Sequence, residues 1–289
     1  MSNYILLHEK HFDFKKFVKR AFKEDVRDGD HTALATIPAN HSGKMQLLVK
    51  EDGILAGVEA AVEIFKFIDK SITVKVLLKD GRKVKKGDVA FIVEGNTQAL
   101  LTAERLVLNV MQRMSGIATK TKYMQSLCKG TKTKVIDTRK TTPGFRFFEK
   151  WAVVIGGGAN HRYGLFDMIL IKDNHIDFAG GIVQAINAAN TYLLNKKMQL
   201  SIEVETRTLA DVKKVLKRGG VQRIMLDNYT PAQTKEAVKL INGRFEVESS
   251  GGITEKNIAD YAKCGVDFIS VGSLTHHVKS LDLSLKALK

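Results

Sequence analysis

The chain is poor in cysteine and proline, with two of the first and three of the second in 289 residues. Cys128 and Cys264 lie far apart without Cys-x-x-Cys spacing. That excludes a disulfide scaffold and a thiolate metal site, and leaves both as small buried hydrophobes. So few prolines beside 44% hydrophobic residues describe a folded, core-forming globular protein. Its length suggests two domains or one of barrel size. No apolar run is long enough to span a bilayer, and the N-terminal MSNYILLHEKHFDFKKF is broken by charges before an apolar core of signal-peptide length forms. A reducing, cytoplasmic location is the expectation. Acidic residues are in deficit, 31 against 46 lysines and arginines, for a net charge of +15. The lysines are spread through every segment and aromatics do not interleave with them, so the excess favours anionic metabolites and ordinary solvation over nucleic acid.

What is present falls into two kinds of pattern. Residues 11–25 place Phe12, Phe14, Phe17, Val18, Ala21 and Phe22 at helical spacing, and Arg27-Asp28-Gly29-Asp30-His31-Thr32 then reads as a helix stop and an Asp-stabilised turn. From Gly43 to Gly95 short strands take over. MQLLVKEDGILAGV predicts a hairpin around Asp52-Gly53, and ITVKVLLKDGRKVKKGDVAFIVEG alternates around Asp80-Gly81 and Gly87-Asp88, with VEAAVEIFKFI a helix between them. The last of these strands lacks the Met-Lys-Met turn of a carrier domain. Residues 98–127 form the longest helical pattern, with Arg113 read as a surface or interhelix pair and Arg105 unremarked on sequence grounds alone.

Beyond this helix a rhythm of strand, polar end and helix repeats, with apolar runs at 134–137, 168–171, 200–204, 223–226, 245–248 and 268–271. The spacing is that of βα units in a parallel sheet, closed or nearly closed as a barrel, whose chemistry collects at the C-terminal strand ends. The first two ends are cationic: Thr138-Arg139-Lys140, then Lys172-Asp173-Asn174-His175. The next two are acidic, Glu205 and Asp227. The last two are small and glycine-rich, Ser250-Gly251-Gly252 and Ser270-Val271-Gly272. Between the first two runs lie Gly156-Gly157-Gly158 and Asn160-His161-Arg162; without GxGxxG spacing the glycines are not a dinucleotide loop. Glycines after the last two strands let backbone N–H groups cradle a phosphate, helped by the following helix N-termini. Glu205 and Asp227 are hard oxygen ligands suited to Mg²⁺, directly or through water, or to ribose hydroxyls, with Glu203 the runner-up to Glu205 on the same strand face. Arg139 and Arg162 match carboxylates bidentately, whereas Lys140 and Lys172 suit the diffuse charge of pyrophosphate or a carboxylate edge. His161 is open to a ligand role or a capping role.

DTRKTTPG, FEKWAVV, GGGANHRYGL and IKDNH, nearly gap-free across 137–175, together with TAER at 102–105, closely resemble the quinolinate phosphoribosyltransferases, also called nicotinate-nucleotide pyrophosphorylases (carboxylating). The resemblance extends over essentially the whole chain. It implies an N-terminal α/β sandwich (1–115, with 275–289 packing back on it) plus an incomplete parallel α/β barrel (116–274). The implied reaction joins quinolinate to 5-phosphoribosyl-1-pyrophosphate with Mg²⁺. It further implies catalysis by Lys140, Glu205 and Asp227 and substrate contacts from Thr138, Arg139, His161, Arg162, Lys172, residues 250–252 and residues 270–272. Arg105 would reach the neighbouring site of a homodimer. A phosphoribosyltransferase with another acceptor and a non-catalytic phosphosugar-binding protein are the alternatives.

Overall fold

The structure, a computed structural model, describes residues 10–288; the first nine residues of the charged N-terminal stretch lie outside it. In chain order the first elements are α1 (Phe14–Asp25), α2 (His31–Thr36), β1 (Ser42–Val49), β2 (Gly53–Ile54), α3 (Val58–Ile68), β3 (Thr73–Val76), β4 (Lys83–Val84) and β5 (Val89–Asn96). The long helix α4 (Thr97–Leu127) follows, then β6 (Lys134–Ile136), α5 (Arg146–Ile155), β7 (Ile169–Ile171), α6 (Asp173–Phe178) and α7 (Ile182–Lys196). The chain finishes with β8 (Ile202–Thr206), α8 (Leu209–Arg218), β9 (Arg223–Asp227), α9 (Pro231–Ile241), β10 (Glu246–Ser250), α10 (Ile258–Lys263), β11 (Phe268–Ser270), α11 (Ser273–His276) and β12 (Leu283–Leu288). These elements fall into two compact units. One takes the residues up to Lys122, Thr141–Gly157 and Thr275 onward; the other takes Tyr123–Lys140 and Gly158–Leu274.

In the first unit an antiparallel sheet runs β12-β1-β5-β3. β1 buries Met45, Leu47 and Val49 at strict period two, and Leu47 lies opposite Phe91 of β5, so the apolar face of the strand fixes its register. The hairpin expected around Asp52-Gly53 does not form. β2 pairs instead with β4, Gly53 opposite Val84, while the Asp52 carboxylate accepts from the Lys86 amide at 2.9 Å. The partner strand lies some thirty residues away, and local spacing carries no signal for it. The expected turn at Arg27–Thr32 holds for Arg27 and Gly29, both at positive φ, but Asp30 then starts α2, accepting from the Ala33 amide at 3.0 Å. α3 begins at Gly57, which has no side chain to cap with; the Asp80 carboxylate takes the Val58 and Glu59 amides at 2.8 and 3.2 Å. α4 buries Leu100, Ala103, Val107, Met111 and Met114, the stripe its spacing predicts. Arg113 forms the interhelix pair, its guanidinium meeting Glu149 of α5 at 2.8 Å.

The second unit is an incomplete barrel. Six strands in the order β6-β11-β10-β9-β8-β7, every pairing parallel, correspond one for one to the six apolar runs. They were legible because a parallel strand covered on both faces needs apolar residues almost throughout. β8 is covered in this way, with all five residues buried, but three of them are the polar Glu203, Glu205 and Thr206. Both cysteines are unpaired thiols; Cys128 is buried as expected, whereas Cys264 is only half-buried. No described helix is long and apolar enough to cross a membrane.

Candidate active site

Strand order sorts the chemistry of the second unit's rim. From one edge of the sheet to the other, the C-terminal ends carry Thr138-Arg139-Lys140 (β6), Ser270-Val271-Gly272 (β11), Ser250-Gly251-Gly252 (β10), Asp227 (β9), Glu205 (β8) and Lys172 (β7). Two cationic edges therefore flank two open-backbone ends and two carboxylates. In sequence order the two cationic ends come first, and only the crossovers place them at opposite edges.

The spacing along this rim is close. The Lys172 ammonium lies 3.9 Å from a Glu205 oxygen. Burial, and then the neighbouring Asp227 carboxylate, push the Glu205 carboxyl above its ordinary range, with Lys172 opposing. Asn228 donates to Asp227 at 2.7 Å, and its own amide donates to the Ser250 carbonyl at 2.9 Å, tying the β9 end to the β10 end. Gly251 sits at φ +92°, and a Cβ there would fall 2.2 Å from the Asn228 Oδ1, so both conformation and space demand glycine. Thr138 accepts from the Lys140 amide at 3.0 Å, shaping the turn that presents the exposed Arg139 and Lys140. The helices after the glycine-rich ends, α10 and α11, have only six and four residues. A phosphate cradle at these ends would therefore rest on loop N–H groups more than on a helix dipole.

The Asn160-His161-Arg162 loop enters the same unit from the β6 side, Ala159 bridging Ile136. Arg162 is half-buried. Its guanidinium donates to the Met168 carbonyl at 3.1 Å, and burial together with the nearby charge of Arg139 lowers its pKa. Two guanidinium groups near enough to repel one another mark a place for an anion. The His161 amide donates to Asp137 at 2.9 Å, and its Nδ1 accepts the Arg162 amide at 2.7 Å. Its Nε2 points inward, 2.9 Å from Glu203 and 3.5 Å from Glu248. The Nδ1 is thus hydrogen-bonded within the unit, whereas the Nε2 lies close to both carboxylates without an aligned hydrogen bond.

The sequence did not foresee this inner layer. Glu203 and Glu248 are fully buried, and Arg223 lies between them on β9, 3.3 Å from Glu248 and 4.0 Å from Glu203, with its guanidinium 4.0 Å above the Phe268 ring. The signal was a glutamate in the middle of each apolar run, IEVE and EVES, which reads as an ordinary strand residue until cross-strand register is known. Among the described residues, His161, Glu203 and Glu248 are also the group whose ligand atoms lie near enough to hold a metal ion. The Arg223 guanidinium already supplies compensating charge there.

Burial and the Glu203 charge push the Glu248 carboxyl up to about 8, and burial raises Glu203 as well, so the pair holds a proton near neutrality. The Glu248 value in the fold lies above its ordinary 4.5, so its contribution to stability is complete below the ordinary value and is lost as pH climbs towards 8. Glu248→Gln cannot ionise and escapes this loss. Thermal unfolding should show the variant near wild type at pH 5 and gaining on it steadily up to pH 8.5; a difference that does not change with pH removes the assignment.

Comparison with known proteins agrees with this geometry. Residues 117–286 match a family model described as quinolinate phosphoribosyl transferase, C-terminal domain, and residues 30–115 match its N-terminal domain. The chloroplastic nicotinate-nucleotide pyrophosphorylase (carboxylating) of Arabidopsis thaliana is 48% identical over 95% of this chain and 83% of its own length. A probable nicotinate-nucleotide pyrophosphorylase of Bacillus subtilis is 40% identical over 95% and 93%. The crystal structure of NadC from Streptococcus pyogenes superimposes with a TM-score of 0.90 at 38% identity, covering 96% of this chain and 97% of that one.

Proposed function

This chain belongs to the quinolinate phosphoribosyltransferase family, and from that membership we propose which of its groups carry the reaction. The enzyme transfers the phosphoribosyl group of 5-phosphoribosyl-1-pyrophosphate to quinolinate with decarboxylation, giving nicotinate mononucleotide, pyrophosphate and CO₂ in NAD biosynthesis. The observation that carries the assignment of roles is the order of the rim. Arg139 and Arg162 bind the two carboxylates of quinolinate, since Arg162 is partly desolvated and Arg139 is near enough to add like charge that a dianion would offset. Loop amides at 250–252 and 270–272 receive the 5-phosphate, with Gly251 keeping the backbone close. Departure of pyrophosphate builds positive charge on the ribose C1, which Glu205 and Asp227 stabilise, while Lys140 and Lys172 neutralise the leaving group. Once ribosylated, the ring nitrogen is cationic and holds the electron pair left when CO₂ departs.

Glu205 and Asp227 also suit Mg²⁺. Two neighbouring carboxylates, one pushed up by the other, make the hard, under-neutralised oxygen pair that such an ion prefers, with substrate phosphates and water completing its shell. Bound there, Mg²⁺ supplies charge neutralisation at the pyrophosphate. Glu205→Ala should cut turnover and raise the Mg²⁺ concentration for half-maximal rate at least severalfold; an unchanged Mg²⁺ titration removes the carboxylate from this role.

Arg105 is exposed on α4, in the first unit, whereas every other assigned residue belongs to the second. The reading that fits is a homodimer in which Arg105 completes the quinolinate subsite of the partner. Mixing the impaired Arg105→Ala and Arg139→Ala chains under exchange conditions should raise CO₂ release well above that of either variant alone, because one of the two sites in each hybrid dimer is then intact. No recovery in proven hybrids rules out the shared site. The two unpaired thiols fit a reducing compartment.

A further inference from the structure

The inner layer of the second unit raises a question that the rim does not answer: why two glutamates, an arginine and a histidine fill the interior of a parallel barrel, where branched aliphatic residues ordinarily pack. Burying two carboxylates costs several kcal/mol each unless they are closely compensated, so apolar residues would fill the space at less cost. Glu203 and Glu248 show no exposed surface. The loop they support, however, bears Arg162.

The hydrogen-bond logic is directional. The Arg162 amide can only donate, so the His161 Nδ1 that it meets at 2.7 Å is an acceptor and carries no proton. The ring hydrogen therefore sits on Nε2, whose nearest acceptors are the Glu203 oxygen at 2.9 Å and the Glu248 oxygen at 3.5 Å, close contacts that are not aligned as full hydrogen bonds. Arg223 holds those two carboxylates in place, bonded to Glu248 at 3.3 Å and also to Glu246 at 3.1 Å, and stacked on Phe268. A rigid chain thus runs from β9, through the two glutamates, to the imidazole and on to the main chain of Arg162.

We propose that Glu203 and Glu248, braced by Arg223, are positioning residues for the acceptor: they lock the orientation and tautomer of His161, which in turn fixes the Arg162 main chain and aims its guanidinium at a quinolinate carboxylate. This rests on the assignment of Arg162 to the acceptor made above. Glu203 makes the nearer contact and sets the ring; Glu248 keeps Glu203 and Arg223 in register. Loss of the anchor frees the loop, and a misplacement of about 1 Å in a binding group costs up to a hundredfold.

The test is a split in kinetic parameters together with a spectroscopic signature. Glu203→Leu should raise KM for quinolinate about tenfold while KM for 5-phosphoribosyl-1-pyrophosphate stays within about twofold. Glu203→Gln keeps an acceptor oxygen in reach and should recover most of the loss. If the leucine variant does not fold, Glu203→Asp withdraws the same carboxylate by one methylene and should raise the quinolinate KM alone, by a smaller factor. Nitrogen-15 NMR of histidine-labelled protein without substrates should show wild-type His161 as a single Nε2–H tautomer, and a mixture in the aspartate variant. Equal rises in both KM values, a glutamine variant no better than leucine, or a wild-type ring protonated at Nδ1 would overturn the proposal. So would a stoichiometric metal ion in the purified protein that disappears with Glu203→Leu. Failure of wild-type protein to turn over quinolinate would instead count against the acceptor assignment, and the NMR signature remains readable in that event.

Discussion

Arg139→Ala should lower kcat/KM for quinolinate about a hundredfold, corresponding to about 3 kcal/mol of transition-state stabilisation. Arg139 is exposed at the β6 end, yet close enough to Arg162 to depress the latter's pKa. A planar fork facing a carboxylate makes two charge-assisted bonds that alanine cannot replace, and Arg139→Lys should recover only part, since an ammonium offers a point charge in place of a matched pair of donors. The removed side chain is exposed, so thermal stability should move little. Steady-state kinetics with varied quinolinate, beside an unfolding curve, separates the two effects. Near wild-type turnover of quinolinate by the alanine variant would contradict the site as assigned.

The largest stability effect is expected away from the chemistry, at Arg113. Its guanidinium donates to the fully buried Glu149 at 2.8 and 3.0 Å and caps the carbonyls of Thr275 and Val278. Glu149 in turn takes the Thr142 hydroxyl at 2.9 Å, so one carboxylate ties α4, α5 and the loop before α5 within the first unit. Arg113→Leu leaves that carboxylate buried without its cation, which costs about 3–5 kcal/mol. In a chain of this size that corresponds to roughly 10 °C in Tm. The paired change Arg113→Leu with Glu149→Leu should regain much of the loss, because both the charge and its desolvation are gone. A double variant as unstable as the single one would mean that the carbonyl caps, and not the ion pair, dominate.

The strands and the long helix were legible because their signals are local. Each barrel strand is centred on a short run rich in buried apolar residues, and α4 shows its stripe at helical spacing from Leu100 to Met114. The cationic, acidic and glycine-rich ends could be read for the same reason, since they directly follow those runs. The hairpin at Asp52-Gly53 was misread because turn residues report that the chain reverses, not which strand receives it; β2 found β4 through long-range packing. His161 was noticed but its partners were not, since Glu203, Arg223 and Glu248 come from three strands and meet only through parallel register. Arg105 carried no local signal at all, and only the resemblance of TAER to its family singled it out.

By itself, then, the sequence determined the periodicities, hence the six parallel strands and their crossovers, and which residue types stand at each strand end. The tertiary structure decided adjacency. Strand order put Lys172 beside Glu205, and placed two buried glutamates with a guanidinium inside the sheet. The physical reason is that hydrophobic burial acts on each segment's own pattern, whereas electrostatic coupling depends on distances between segments far apart in the chain, which exist only once the sheet has closed around them.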